Sequence, residues 1–153
     1  MKILFDTNVV LDLLLDREPF SDTAARLFSR ADEGDITGFV NATTVTTVRY
    51  LACRTVGDRR ARREIGNLID LLDVAPVNLA VLEEALQSKF TDFEDAVMYH
   101  AALNVNADGI VTRNVGDFKR ATIPVYTPEE LDHLMQITDE IADGEGQVDD
   151  DVG

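Results

Sequence analysis

The chain has 153 residues, 45% of them hydrophobic, which predicts a single domain with its own hydrophobic core. Its one cysteine, Cys53, excludes an internal disulfide, and no apolar run reaches the ~18 residues of a membrane span. The net charge of -15 is unusual for a protein that binds nucleic acid, because such proteins carry basic surfaces.

In chain order, short apolar runs alternate with segments of helical periodicity. The runs that predict strands are residues 2–5, 39–42, 109–111 and 123–126. The segments that predict helices are residues 9–15, 21–31, 43–56, 59–72, 79–86, 93–103 and a last helix beginning at Thr127-Pro128. Strands separated by helices favour a parallel sheet with helices on both faces.

The last part of the chain differs from the rest in composition. Residues 139–153 contain seven acidic residues and no basic one. We therefore predict one domain over residues 1–137 and an acidic disordered tail over residues 138–153. The apolar run at residues 3–5 is too short for a signal peptide, so we expect a soluble, cytoplasmic protein.

Acidic residues follow two of the predicted strands and begin one helix. Asp6 directly follows the first strand, Asp117 follows the strand at residues 109–111, and Asp95 lies in the first turn of the helix at residues 93–103. Ligands of open parallel sheets bind outside the carboxyl ends of the strands. Carboxylates that converge there need a counter-charge, and oxygen ligands alone suit Mg²⁺ or Mn²⁺.

Each of these acids also has a purely structural interpretation. Asp6 or Thr7 could simply be the N-cap of the following helix, an interpretation that this motif alone favours as much as metal binding. A capping box, in which Glu94 reaches back to the Thr91 amide, explains Glu94 better than metal binding does. Asp117 fits an ordinary turn residue after Gly116.

Three motifs in order resemble those of PIN-domain nucleases. They are Asp6-Thr7-Asn8-Val9-Val10-Leu11-Asp12, Asp92-Phe93-Glu94-Asp95-Ala96, and Val111-Thr112-Arg113-Asn114 with Asp117-Phe118. The resemblance runs from residue 1 to about residue 135, and the size of the chain is similar to that of VapC-like toxins of type II toxin–antitoxin pairs.

The resemblance implies a three-layer α/β/α sandwich and a Mg²⁺- or Mn²⁺-dependent endoribonuclease that hydrolyses RNA. Asp6, Asp95 and Asp117 match the metal-binding catalytic acids. Thr7, Asn8, Thr112 and Asn114 match polar residues around the site, and we expect substrate contacts from Asn8, Thr112, Arg113 and Asn114. The implied partners are RNA, an antitoxin protein and a second copy of the chain in a homodimer.

The sequence departs from the family pattern at one position. The family has a Glu in the helix after the second strand, and Thr47 occupies that place here. A catalytically degenerate PIN domain, which binds RNA or a protein partner without cleavage, is therefore the alternative. An aspartate-nucleophile phosphatase fits less well, because Asn8 stands where its second aspartate would be.

Overall fold

The computed structural model describes residues 1–150, with side chains described for residues 1–145. The strands are β1 (Lys2–Phe5), β2 (Thr37–Asn41), β3 (Asp73–Ala75), β4 (Gly109–Val111) and β5 (Val125–Tyr126). The helices are α1 (Thr7–Leu14), α2 (Ser21–Glu33), α3 (Ala42–Val56), α4 (Asp58–Leu71), α5 (Leu79–Gln87), α6 (Phe93–Asn104) and α7 (Pro128–Asp150). A short 3₁₀-helix, Val115–Phe118, lies between β4 and β5.

The five strands form one parallel sheet in the order β3-β2-β1-β4-β5. The predicted α/β class and parallel sheet are confirmed. Each predicted strand is present, but β3 was not predicted. Within the described residues, no helix is long and apolar enough to cross a membrane.

The sheet separates two hydrophobic clusters, which gives the three predicted layers. Ile3 and Phe5 belong to the cluster formed with α1, α2, α3, α4 and α7, whereas Leu4 belongs to the cluster formed with α5 and α6. This division follows from the strand geometry, because successive side chains point to opposite faces of the sheet. All three side chains are fully buried, so β1 is the centre of the core.

The end of α2 and the start of α6 are both defined by their caps. Helix α2 begins at Ser21 with Phe20 as its N-cap, and it ends before Gly34, whose φ of 88° is left-handed. Helix α6 is capped by Asp92, whose side chain accepts a hydrogen bond from the Asp95 amide. The predicted capping box between Thr91 and Glu94 is therefore wrong, and Glu94 is free for another role.

Helix α7 extends beyond the predicted domain boundary at residue 137. It continues to Asp150, where the sequence predicted a disordered tail, and the side chains of residues 136–145 are exposed. Asp139 accepts a 2.8 Å hydrogen bond from Arg30 of α2. The structure thus has a helical extension at residues 138–150, and residues 151–153 lie outside the described part.

Candidate functional site

A cavity of about 580 Å³ opens at the carboxyl edge of the sheet. Asp6 follows β1 and Thr112 follows β4, and these two strands are neighbours. The crossovers on either side of this strand pair run in opposite directions, so the cavity lies at the topological switch point of the sheet. The predicted acids Asp6, Asp95 and Asp117 all line it.

Asp6 is held in place by hydrogen bonds to both carboxylate oxygens. Its Oδ1 accepts a 2.7 Å bond from the Thr7 amide, and its Oδ2 accepts bonds of 2.6 Å from Thr112 Oγ1 and 3.2 Å from Asn8 Nδ2. Asp6 is only 7% exposed. The carboxylate therefore both caps α1 and occupies a fixed position at the cavity floor, so the two interpretations of Asp6 are compatible.

Asp95 and Asp117 line the cavity from the elements that precede and follow β4 along the chain. Asp95 is half-buried in the first turn of α6. Asp117 lies in the 3₁₀-helix after β4, where its amide donates a 3.0 Å bond to the Asn114 carbonyl. The neighbouring Phe118 is buried and packs edge-on against Phe90. Packing of Phe118 thereby fixes the turn that carries Asp117.

The acids perturb one another across the cavity. Burial, followed by repulsion from Asp92, Asp6, Asp117 and Glu94, raises the pKa of Asp95 to about 7. Burial also raises the pKa of Asp6, and Asp117 adds to that rise, whereas the hydrogen bonds from Thr112 and Thr7 oppose it. The site thus contains more negative charge than its protein surroundings neutralise.

The four predicted substrate-binding residues occupy different places. Asn8, Arg113 and Asn114 line the cavity. Thr112 is fully buried and does not line it. Besides bonding to Asp6, the Thr112 hydroxyl accepts a 3.0 Å bond from the Asn114 amide, so in this structure Thr112 holds the site together rather than facing the cavity.

Thr47 lies on the cavity wall, on the side formed by α3. Its hydroxyl donates a 3.2 Å bond to the Thr43 carbonyl one turn earlier in the helix. A longer acidic side chain at this position would project into the same cavity as Asp6. The structure therefore places this departure from the family pattern at the site itself.

Asn41, at the end of β2, was missed by the sequence analysis. It lines the cavity, is 1% exposed, and donates a 3.0 Å bond from Nδ2 to Thr43 Oγ1. Its buried Oδ1 has no hydrogen-bond partner among the described residues. Its place at the end of β2, the strand next to the one that Asp6 follows, was the signal that could have indicated it.

The donor chemistry of the site fits a hard divalent cation. Carboxylates that raise one another's pKa, together with the unpartnered Asn41 oxygen, offer oxygen ligands and uncompensated negative charge. In residues 1–145, however, no three Asp, Glu, His or Cys side chains are arranged so that they could hold an ion. Metal binding would thus require the carboxylates to move closer together.

A family model described as the PIN domain matches residues 2–116. The chain belongs to the PIN domain family. This PIN domain is 26% identical over 138 residues to Ribonuclease VapC1 of Aquifex aeolicus strain VF5, covering 85% of this chain and 92% of that protein.

Solved structures share the fold of this PIN domain at low sequence identity. A toxin–antitoxin complex from Klebsiella pneumoniae has a TM-score of 0.63 at 22% identity, covering 82% of this chain and 97% of that chain. VapC20 of Mycobacterium tuberculosis, described as a toxin that cleaves the sarcin–ricin loop, has a TM-score of 0.57 at 17% identity, covering 71% of this chain and 86% of that chain. These likenesses agree with the three-layer architecture.

Proposed function

We propose that this PIN domain is a Mg²⁺- or Mn²⁺-dependent endoribonuclease of the cytoplasm that hydrolyses phosphodiester bonds in RNA. The observation that carries the proposal is that Asp6, Asp95 and Asp117 line one cavity at the switch point of the sheet. The ribonuclease name of the Aquifex relative and the sarcin–ricin loop cleavage named for VapC20 agree with RNA as the substrate.

The three carboxylates are the proposed metal ligands. A bound divalent cation supplies an activated water and stabilises negative charge on the phosphate. Asp6 provides a rigid reference point, because Thr112, Thr7 and Asn8 fix its carboxylate. Asp95 and Asp117, whose side chains are more exposed than that of Asp6, would complete the ligand set by moving toward it.

Asn8 and Asn114 complete the polar wall of the cavity. The Asn8 amide nitrogen donates to Asp6, and its oxygen accepts a 3.3 Å bond from the Arg113 amide, so Asn8 connects the start of α1 with the segment after β4. The Asn114 side chain is exposed at the rim of the cavity. Asn114 is therefore the more accessible of the two for an RNA phosphate or sugar.

The test is cleavage of a labelled RNA pool by purified protein in Mn²⁺, Mg²⁺ or EDTA. Cleavage should require an ion and should fall to background in Asp95→Asn, which keeps the shape of the side chain but removes a ligand charge. Glu140→Gln is the matched control, because Glu140 is an exposed acid on α7 outside the cavity. Undiminished cleavage in EDTA or by Asp95→Asn would disprove a metal nuclease.

The alternative is a PIN domain that binds RNA or a protein without cutting. The observation that favours it is the neutral Thr47 on the cavity wall, where the family has a Glu. Mn²⁺ raises the melting temperature only if the carboxylates converge on the ion in the folded protein. If they do not, as this alternative holds, Mn²⁺ would leave the melting temperature unchanged. No cleavage in any ion, together with RNA binding, would establish this alternative.

We further propose that the protein is the toxin of a toxin–antitoxin pair and forms a homodimer. The toxin–antitoxin complex named for the Klebsiella structure supports this role by analogy of fold. An antitoxin segment rich in Arg or Lys would suit the net charge of -15. Light scattering that shows only a monomer at high concentration would remove the homodimer, and expression without growth arrest would argue against a toxin.

A further inference from the structure

A buried carboxylate beside the cavity is shared by two arginines. The Asp12 side chain is 1% exposed, and it accepts a 3.0 Å bond from Arg17 Nε on one oxygen. Arg113 Nε donates to the other oxygen at 2.7 Å, and its Nη2 lies 3.3 Å from the first. Asp12 lies on α1, Arg17 follows that helix, and Arg113 follows β4, so the cluster joins two separate parts of the chain.

The cluster contains two positive charges, on Arg17 and Arg113, and only one negative charge, on Asp12. One arginine already neutralises one carboxylate, so the second guanidinium leaves a net charge of about +1. Both guanidinium groups are also oriented by further contacts. Arg17 Nη2 donates a 3.2 Å bond to the Asn8 carbonyl, and Arg113 lies over the Phe20 ring at 4.0 Å from its centroid.

Both arginines face the cavity that contains the acids. Among the described residues that line it, Arg17 and Arg113 are the only basic ones. Their side chains keep 38% and 28% of their surface exposed, whereas Asp12 has almost none. Guanidinium N–H groups that bond neither to Asp12 nor to the Asn8 carbonyl therefore remain available to a ligand in the cavity.

We propose that Asp12 is a positioning residue that holds Arg17 and Arg113 as a two-arginine clamp for one RNA phosphate beside the phosphate that is cut. This inference rests on the proposed ribonuclease function, and to the substrate contact already expected of Arg113 it adds Arg17 and the positioning role of Asp12. Guanidinium groups suit the task because their N–H donors match the oxygens of a phosphate in pairs. The orientation imposed by Asp12 lowers the entropy lost when the phosphate binds.

The clamp is tested by the salt dependence of RNA binding. Anisotropy of a short fluorescein-labelled single-stranded RNA is measured in Mn²⁺, with Asp95→Asn present in every variant so that the RNA stays intact. Adding Arg113→Ala or Arg17→Ala should weaken binding about ten-fold and reduce the slope of log K against log salt by about 0.7. Either variant should fold, since Asp12 keeps one arginine partner.

Arg26→Ala is the matched control for both variants. Arg26 also donates through Nε to a buried aspartate, Asp132, at 3.0 Å, but this pair lies outside the cavity. The Arg26→Ala substitution should therefore leave the RNA affinity and the slope of log K against log salt unchanged. Equal slopes for the clamp variants and Arg26→Ala would overturn the clamp, as would the absence of any RNA binding.

Asp12→Asn separates positioning from simple charge. The variant increases the positive charge near the cavity, so an effect of charge alone predicts tighter RNA binding. Loss of orientation predicts weaker binding in spite of that added charge, which is the result we expect. Tighter or unchanged binding by a folded Asp12→Asn would overturn the positioning role, and if this variant does not fold, Arg113→Lys replaces it. The lysine keeps the charge without the paired donors, so the clamp requires it to bind more weakly.

Cleavage by proteins with the native Asp95 distinguishes the two proposals. The clamp predicts a raised KM with kcat nearly unchanged in Arg17→Ala and Arg113→Ala, because the contact is equal in ground and transition states. Normal cleavage with unchanged KM in both variants overturns the clamp alone. A protein that never cleaves but binds RNA through both arginines overturns the ribonuclease, and with it the placement of the clamp beside a cut phosphate, but it supports the pair of arginines as a phosphate-binding site.

Discussion

Replacing Asp95 by Asn should stabilise the metal-free protein, even though the same change should abolish cleavage. Burial and the nearby Asp92, Asp6, Asp117 and Glu94 raise the pKa of Asp95 to about 7. Asparagine keeps the size of the side chain and the backbone amide that donates to Asp92. The substitution therefore removes the charge that the surrounding acids oppose and changes little else.

The size and the pH dependence of the gain follow from the same pKa. Between about pH 4 and about pH 7 the folded state holds the Asp95 proton more tightly than the unfolded state, so stability falls as pH rises through this window. A rise from 3.8 to about 7 corresponds to at most ~4 kcal/mol. Water screens this half-buried carboxyl, which leaves about 1–2 kcal/mol.

Urea denaturation in EDTA at several pH values measures the effect. The free energy of unfolding of Asp95→Asn should exceed that of the wild type by about 1–2 kcal/mol at about pH 8, and the two should be equal at about pH 4. Mn²⁺ should reverse the order, because it stabilises the protein that retains all ligands. Glu140→Gln should match the wild type throughout. A pH-independent difference, or a less stable variant at about pH 8, would refute the proposed repulsion.

Three further predictions address the wall of the site, the end of the chain and the sheet. Thr47→Glu should bind Mn²⁺ about ten-fold more tightly by calorimetry, because a charge pair at ~4 Å is worth ~4 kcal/mol before desolvation; equal affinities would contradict this. Deleting residues 139–153 removes, among the side chains described, the Arg30–Asp139 ion pair, in which Asp139 is exposed. The melting temperature should therefore hardly change, and a large drop would show that the segment stabilises the domain. Gly109→Ala places a Cβ 2.9 Å from the Tyr126 ring and should lower the free energy of unfolding by about 1–3 kcal/mol in urea denaturation. A variant as stable as the wild type would show that β4 and β5 can move apart without cost.

The architecture was predictable because the strands at the centre of a parallel sheet are almost wholly apolar. Ile3-Leu4-Phe5 is buried on both faces, and this burial is what its unbroken apolar run indicates. Strand β3 was missed because it is a short edge strand, Asp73–Ala75, that pairs only with β2. With two of its three residues exposed, its sequence contains no pattern that distinguishes it from a loop.

The position of the acids could be predicted, but the polar contacts around them could not. Asp6 is located by the end of a strand, which the sequence shows directly. The bond between Arg113 and Asp12 joins residues 101 positions apart, and neither periodicity nor spacing indicates it. Likewise, Asp92 and Thr91 are both good caps, and only the path of the chain into α6 decides between them.

The net charge of the whole chain does not determine how strongly the cavity would attract an RNA phosphate. At physiological salt, charges more than about 8 Å apart are largely screened, so the acids that line the cavity matter more there than the net charge of the chain. An approaching phosphate instead meets the cavity acids together with Arg17 and Arg113. Without a cation the acids repel that phosphate, and with a divalent ion bound most of their charge is offset. For the proposed ribonuclease, RNA affinity should therefore depend jointly on the ion and on the two arginines, in spite of the net charge of -15.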